Sequence, residues 1–289
     1  MMLQRKLTTL RNELSDPRYF QILFLFSFIS YGMLYLGWAA NIWNYGVIVG
    51  SALATQMLFA HIYKKPFSSV KSATITAFGL CMLLKGADTY IYVLGPFVAI
   101  SGKFLIKYRG KHLFNPANLG IVACLLFTND AWVSPGQWGS DVVLVFFMGI
   151  AGLTILLRVG RLDTALAFLI TLIALQYLRQ VWYLGWTTEV LWHKFSSGTL
   201  LLFSFFMITD PMTIPDNQKA RIPWAMLVAI LTFILSNWFF SYTAAIWALF
   251  ILSPLTVILD RTFEAPRFEW LKRQKTPTEI YQSSNIQAI

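Results

Sequence analysis

The feature that most constrains this chain is a succession of long apolar segments joined by short polar turns, whose Lys and Arg content alternates from rich to poor. The segments lie near 19–37, 44–62, 71–85, 89–106, 116–128, 141–158, 162–183, 196–209, 222–240 and 242–259. A bilayer core of about 30 Å takes about 20 apolar helical residues. Backbone placed there must satisfy its own hydrogen bonds, which a helix does. The pattern predicts an all-α integral membrane fold of about ten transmembrane helices. Three segments, 71–85, 116–128 and 196–209, are short, and Asn115-Pro116 and Asp210-Pro211 mark ends of the last two.

The basic residues test the count, because cytoplasmic loops are enriched in Lys and Arg. Following the alternation, 20 of the 23 basic residues fall on one side. The three on the other side are Lys85, Arg179 and Lys194. A wrong span count would break the alternation downstream of the error. Both termini are therefore expected on the cytoplasmic side of the cell inner membrane. The expected organisation is a tail over 1–18, a membrane domain over 19–260 and a second tail over 261–289, loose after Lys275.

Charged residues make up 12% of the chain, about half the fraction usual in a soluble protein, which leaves lipid as the natural solvent. The net charge of +10 is accounted for by topology and by anionic lipid, without a nucleic-acid partner. Cys81 and Cys124 both lie inside apolar segments, which argues against a disulfide framework and suits plain packing. The three His residues show no ligand spacing, and no metal is expected. Met1 to Arg18 lacks the apolar stretch of a cleavable signal peptide.

Three polar constellations stand out. In the first, Asn115 suits a helix N-cap and Pro116 the first turn after it. That helix end carries positive partial charge. With Lys103, Arg109, Lys111 and His112 upstream, and Asn118 one turn in, it forms a candidate anion site, or simply a basic loop that fixes topology. The second is Ser197-Gly198-Thr199 with Thr209-Asp210-Pro211-Met212-Thr213. An acid this close to hydrocarbon is expensive and a functional candidate, or else it stops the helix at the interface. The third is Trp132-Val133-Ser134-Pro135-Gly136-Gln137-Trp138, whose indoles form an interfacial belt or stack on a planar ligand. Ser72-Ala73-Thr74 and Ser197-Gly198-Thr199 open short segments five spans apart. Short helices at corresponding places in inverted halves point to a midplane site.

Taken together these stretches resemble one family, RnfD/NqrB, whose members are membrane components of Rnf electron-transport complexes and of the sodium-translocating NADH:quinone reductase. The segment Ser101-Gly102-Lys103 through Arg109-Gly110 and Phe114-Asn115-Pro116-Ala117 is similar to the family's Gly-Lys…Gly-Arg…Phe-Asn-Pro-Ala. Ser197-Gly198 with Phe206-Met207, Thr209-Asp210-Pro211 and Thr213 is similar to its Ser-Gly-Ala-Thr…Thr-Asp-Pro-Val-Thr. The resemblance implies two inverted five-helix halves, a fold similar to urea and ammonium channels, flavin binding (FMN or riboflavin) and electron transfer within a larger redox complex. Family members attach FMN to a Thr in a long insertion after the fifth span. Here residues 129–140 are short and hold no Thr, so covalent attachment there is not expected. This form resembles a stand-alone branch that includes membrane proteins encoded beside enediyne-biosynthesis genes.

Two functions from different classes follow. One is a redox subunit with non-covalent flavin, or a quinone-like molecule, between the halves. Lys103, Arg109, Lys111, Asn115, Pro116, Asn118, Ser197, Thr199, Asp210 and Thr213 would line or shape that site, with Trp132, Gln137 and Trp138 on the far side. The other is a channel or permease for a small solute, which the same short helices and Asp210 would serve.

Overall fold

The computed structural model describes residues 16–38, 42–65, 70–133 and 142–270. Each of the apolar segments contains a helix. The helices are α1 (Pro17–Tyr35), α2 (Ile42–Ile62), α3 (Val70–Leu83), α4 (Thr89–Leu105), α5 (Pro116–Phe127) and α6 (Val142–Val159). They continue with α7 (Leu162–Tyr177), α8 (Thr188–Phe195), α9 (Gly198–Leu202), α10 (Gln218–Asn237), α11 (Ala244–Leu252) and α12 (Leu255–Thr262). Wider π-type turns extend α7 over Leu178–Tyr183 and α9 over Phe203–Met207. Two small antiparallel pairs complete the inventory. β1 (Leu84–Gly86) joins β4 (Ala131–Val133), and β2 (Lys107–Tyr108) joins β3 (Lys111–His112).

Three helical stretches, Ile42–Ile62, Leu162–Tyr183 and Gln218–Asn237, are long and apolar enough to cross a membrane. The pair α11 and α12 makes a fourth if counted as one span. Large apolar side chains face outward, among them Leu34, Trp43, Phe127, Leu157, Ile170 and Trp182. On a helix with an equally apolar buried face, that exposure suits lipid rather than water.

The sequence pattern missed two features. The segment expected as a last continuous helix is bent by 47° between α11 and α12. Pro254 sits at the break and has no N–H to continue the ladder. The stretch expected as loop before Ser196 holds α8, with Glu189 in its first turn and His193 and Lys194 in its last. Those charges complement the helix dipole at both ends.

Packing explains how short helices stay fixed. The closest helix pairs include α2 with α4, α7 with α10, α4 with α5 and α10 with α11. At the α4–α5 crossing, a Cβ on Gly120 would lie 2.4 Å from the Gly95 carbonyl oxygen. Only glycine allows the two backbones to approach so closely, as small residues do wherever membrane helices pack. Aromatic contacts join the two parts of the chain: Phe28 meets Phe147 at 5.3 Å, and Phe114 stacks on Phe250 at 4.7 Å.

Candidate functional site

Three of the shortest apolar helices meet around one cavity. Its wall includes Ser72, Thr76 and Gly79 of α3, Asn115, Pro116 and Ala117 at the start of α5, and Leu202, Phe205, Phe206 and Met207 of α9 with its π-type turn. Ile155, Leu156 and Val159 of α6 contribute to the wall, as do Thr209 and Asp210. Each short helix thus ends in polar residues at the same place.

The decisive geometry is at the start of α5. Asn115 caps the helix: its side-chain oxygen accepts from the Asn118 N–H at 3.1 Å. Such a cap contributes about 1 kcal/mol. Its Nδ2 then points across the chain, donating to the Met207 carbonyl at 3.4 Å and to Asp210 Oδ2 at 3.3 Å. The other Asp210 oxygen accepts from the Met212 N–H at 3.0 Å, and Thr213 donates its hydroxyl to the Asp210 carbonyl at 3.2 Å. Asn115, Pro116, Asp210 and Thr213 are therefore brought together, although 95 positions separate Asn115 from Asp210. Burial pushes the Asp210 carboxyl up to about 6.

The β2–β3 hairpin locks onto the same loop. The His112 N–H donates to the Met212 carbonyl at 3.2 Å. Lys111 donates to the Ile214 carbonyl at 2.6 Å and forms ion pairs with Asp260 at 2.6 Å and Asp216 at 3.1 Å. Lys111 is thus a structural clasp with its charge already matched. Arg109 takes a positive φ of 46°, lies over the Tyr108 ring at 5.6 Å, and lines a separate surface pocket of about 210 Å³ with Lys111, Asp216 and Asp260. Lys103 is buried in the last turn of α4 and donates to Gln56 at 3.4 Å. The basic residues that sequence spacing groups into one anion cradle are distributed to three different places. His112 is the one that reaches the cavity. Its Nδ1 is buried with no hydrogen-bond partner among the described residues. Burial and the nearby Lys103 and Lys107 hold its pKa down at about 3, so the ring is neutral.

Asn118 is fully buried, and neither its Nδ2 nor its Oδ1 has a hydrogen-bond partner among the described residues. Ser197 stands at the start of α9 with Thr199 in its first turn, and neither lines the cavity that Leu202 of the same helix reaches. Trp132 is 49% exposed on β4, opposite Lys85. It follows the far end of the 12-residue α5, about 18 Å from Asn115 at 1.5 Å per residue. Gln137 and Trp138 lie outside the described residues. Cys81 and Cys124 are buried free thiols, each against a backbone carbonyl at 3.9 Å.

Residues 126–269 match the family described as NQR2, RnfD, RnfE. The chain belongs to this family. No curated protein matches it. The family contains membrane subunits of Rnf- and Nqr-type electron-transport complexes, and its apolar helices make this member a multi-pass membrane protein. The matched region holds Asp210 and Thr213 but begins after Asn115. The hydrogen bond between Asn115 and Asp210 is therefore information the structure adds to the family match.

Sequence reasoning did not find Arg18, Gln21 and Trp270, which also line the cavity. Arg18 reads as a topology charge and Trp270 as part of a tail, and nothing in their spacing connects them to Asp210.

Proposed function

We propose that this NQR2, RnfD, RnfE family protein is an electron-transfer subunit that binds a flavin non-covalently where its two halves meet, and works with protein partners in a redox complex. The observation that carries the reading is the Asn115–Asp210 junction over a cavity formed by three short helices. The reading extends to ten crossings, inverted five-helix halves and both termini on the cytoplasmic side of the inner membrane. Two features support the inversion. The second and fourth helices of each half, α2 with α4 and α7 with α10, form corresponding close pairs. Short helices, α3 and α9, occupy the third position of each.

The residues suit a planar heterocycle at one end. Leu25, Ile75, Leu83, Ile155 and Phe206 supply apolar walls. His112 Nδ1 offers an unmet acceptor, while Asn118, which does not itself line the cavity but follows the lining residues Asn115 to Ala117 in the first turn of α5, holds an unmet donor and acceptor. A ligand edge that carries both donors and acceptors answers that set, since a buried amide left unpaired costs about 1–3 kcal/mol. When bound, a flavin would supply the electron-accepting and electron-donating chemistry. The protein's part is to hold it. Asn115 would orient the polar edge, the neutral His112 ring would accept from it, and the apolar walls would exclude water.

The test is to purify the chain and record its absorbance near 450 nm alongside an Asn118→Leu variant. Flavin should accompany the wild type and be depleted in Asn118→Leu, with the fold retained. A colourless wild type that takes up no added riboflavin would refute the proposal. Solute flux into proteoliposomes, abolished by Asp210→Asn, would favour the channel reading instead.

A further inference from the structure

Past α12, residues 263–270 run without helix or strand to the end of the bundle that carries Arg18 and Arg161. Their path is fixed by a few discrete contacts. The Glu264 carbonyl accepts from Asn217 Nδ2 at 3.2 Å. Arg267 lies against Gly110, where an added Cβ would meet its Nη1 at 3.2 Å. The Phe268 ring lies 5.4 Å from the Arg161 guanidinium and meets Trp270 edge-on at 5.1 Å. Trp270 lies 5.4 Å from the Arg18 guanidinium. Arg18 is itself held by Asp16 at 2.7 Å. Both Arg18 and Trp270 belong to the cavity wall. The segment thus crosses from the second half of the chain to α1 and ends over the cavity.

The free space between these walls, which stays partly open to the outside, is about 80 Å³. A single water takes about 10–15 Å³ on this measure, so the cavity as it stands holds a few waters and not a multi-ring molecule. Something must yield before such a ligand enters. Most of the remaining wall is helical, from α1, α3, α5, α6 and α9, and its non-helical part, His112 and Thr209 to Met212, is tied down by hydrogen bonds from Asn115 to Asp210, from the Met212 N–H to Asp210 and from the His112 N–H to Met212. Residues 263–270 have neither helix nor strand of their own. They are held by the hydrogen bond from Asn217, by the part-buried rings of Phe268 and Trp270 against the core, and by the cation–π contacts to Arg161 and Arg18. Segments with few buried contacts open at the lowest free energy.

We propose that residues 263–270 are a lid on this cavity, with Trp270 as the closing residue. A planar ligand reaches the Asn115–Asp210 end when Trp270 leaves Arg18. The lid rests on the reading above for the identity of what enters, but its opening is measurable without any ligand. The probe is a single cysteine in the cavity wall, Ser72→Cys, in the full-length membrane protein with the buried Cys81 and Cys124 as background. Its modification rate by a small cationic methanethiosulfonate is followed with and without Trp270→Ala. The rate should rise at least about two- to fivefold, the factor that a cation–π contact carries at an exposed site, because Arg18 and Trp270 are both part-buried. Trp270→Phe should restore part of the protection, because it keeps a ring against Arg18. Thr262→Cys, exposed outside the cavity, should react at one rate in all backgrounds, which separates lid opening from general loosening. Equal Ser72→Cys rates in wild type and Trp270→Ala would overturn the lid, as would a parallel rise at Thr262→Cys. If added riboflavin fails to bind while the Trp270→Ala acceleration at Ser72→Cys persists, the lid stands and the flavin reading fails.

Discussion

Asp210 and His112 are displaced from their ordinary pKa values in opposite senses, so Asp210→Asn should change how stability depends on pH in a defined way. The folded Asp210 carboxyl takes its proton near 6, against 3.8 when unfolded. Folded protein therefore binds this proton more tightly, and stability rises as pH falls from 6 to 3.8. The folded His112 ring resists protonation until about 3, against 6.5 when unfolded. Here the unfolded chain binds the proton first, and stability falls as pH drops below 6.5. At about 1.4 kcal/mol per pH unit, each effect amounts to about 3 kcal/mol between pH 7 and pH 4. In the wild type they oppose one another and leave a net change of under about 1 kcal/mol. Asp210→Asn removes one and leaves the other, so the variant should lose about 3 kcal/mol over the same interval. At pH 7 it should equal or exceed the wild type, because the ionised carboxylate no longer has to be buried, offset by about 1 kcal/mol for the weakened bonds to Met212 and Asn115. The assay is thermal unfolding in detergent micelles from pH 4 to 7, comparing variant with wild type so that titrating groups remote from Asp210 cancel. Parallel pH profiles for the two proteins would refute the reasoning, and His112→Asn should produce the opposite tilt.

Three further outcomes are expected. Lys111→Met strands the Asp216 and Asp260 carboxylates it now joins. It should cost about 3 kcal/mol by thermal unfolding, and adding Asp260→Asn should recover part of the loss. Gly120→Ala places a methyl group against the Gly95 carbonyl and should cost about 1–3 kcal/mol, whereas Gly149→Ala, which meets nothing within 4 Å, should be near neutral. Asn118→Leu removes an amide with no partner among the described residues. It should leave stability unchanged or raise it by about 1 kcal/mol while lowering flavin retention, a combination that a purely structural Asn would not give.

Much of the fold is legible because its signals are local. Hydropathy places the helices, Asn115-Pro116 states where α5 begins, and Pro254 sits at the bend between α11 and α12. The Asn115–Asp210 pairing is half legible: each residue is marked by its own helix end, but their contact is a property of the folded chain. The assignment of the basic residues is not legible. Lys111 finds Asp260, 149 positions downstream, and spacing around Asn115 contains no trace of that acid. Trp270 fails for a similar reason. Its role depends on where an irregular segment turns after α12, and irregular chain carries no periodicity to read.

The π-type turn at Phe203–Met207 immediately precedes Thr209 and Asp210. A turn of this kind is a helix holding one residue more than its ladder requires. Each helical residue advances the chain by about 100°. Removing a single residue from Phe203–Met207 would leave the segment as apolar as before and as able to sit in a bilayer. It would also swing Asp210 about a quarter turn away from Asn115. In this protein the direction in which the polar end of a helix faces is set by an angular offset invisible to any measure of hydrophobicity. Two relatives with indistinguishable membrane topology could therefore differ completely in whether their halves share a site.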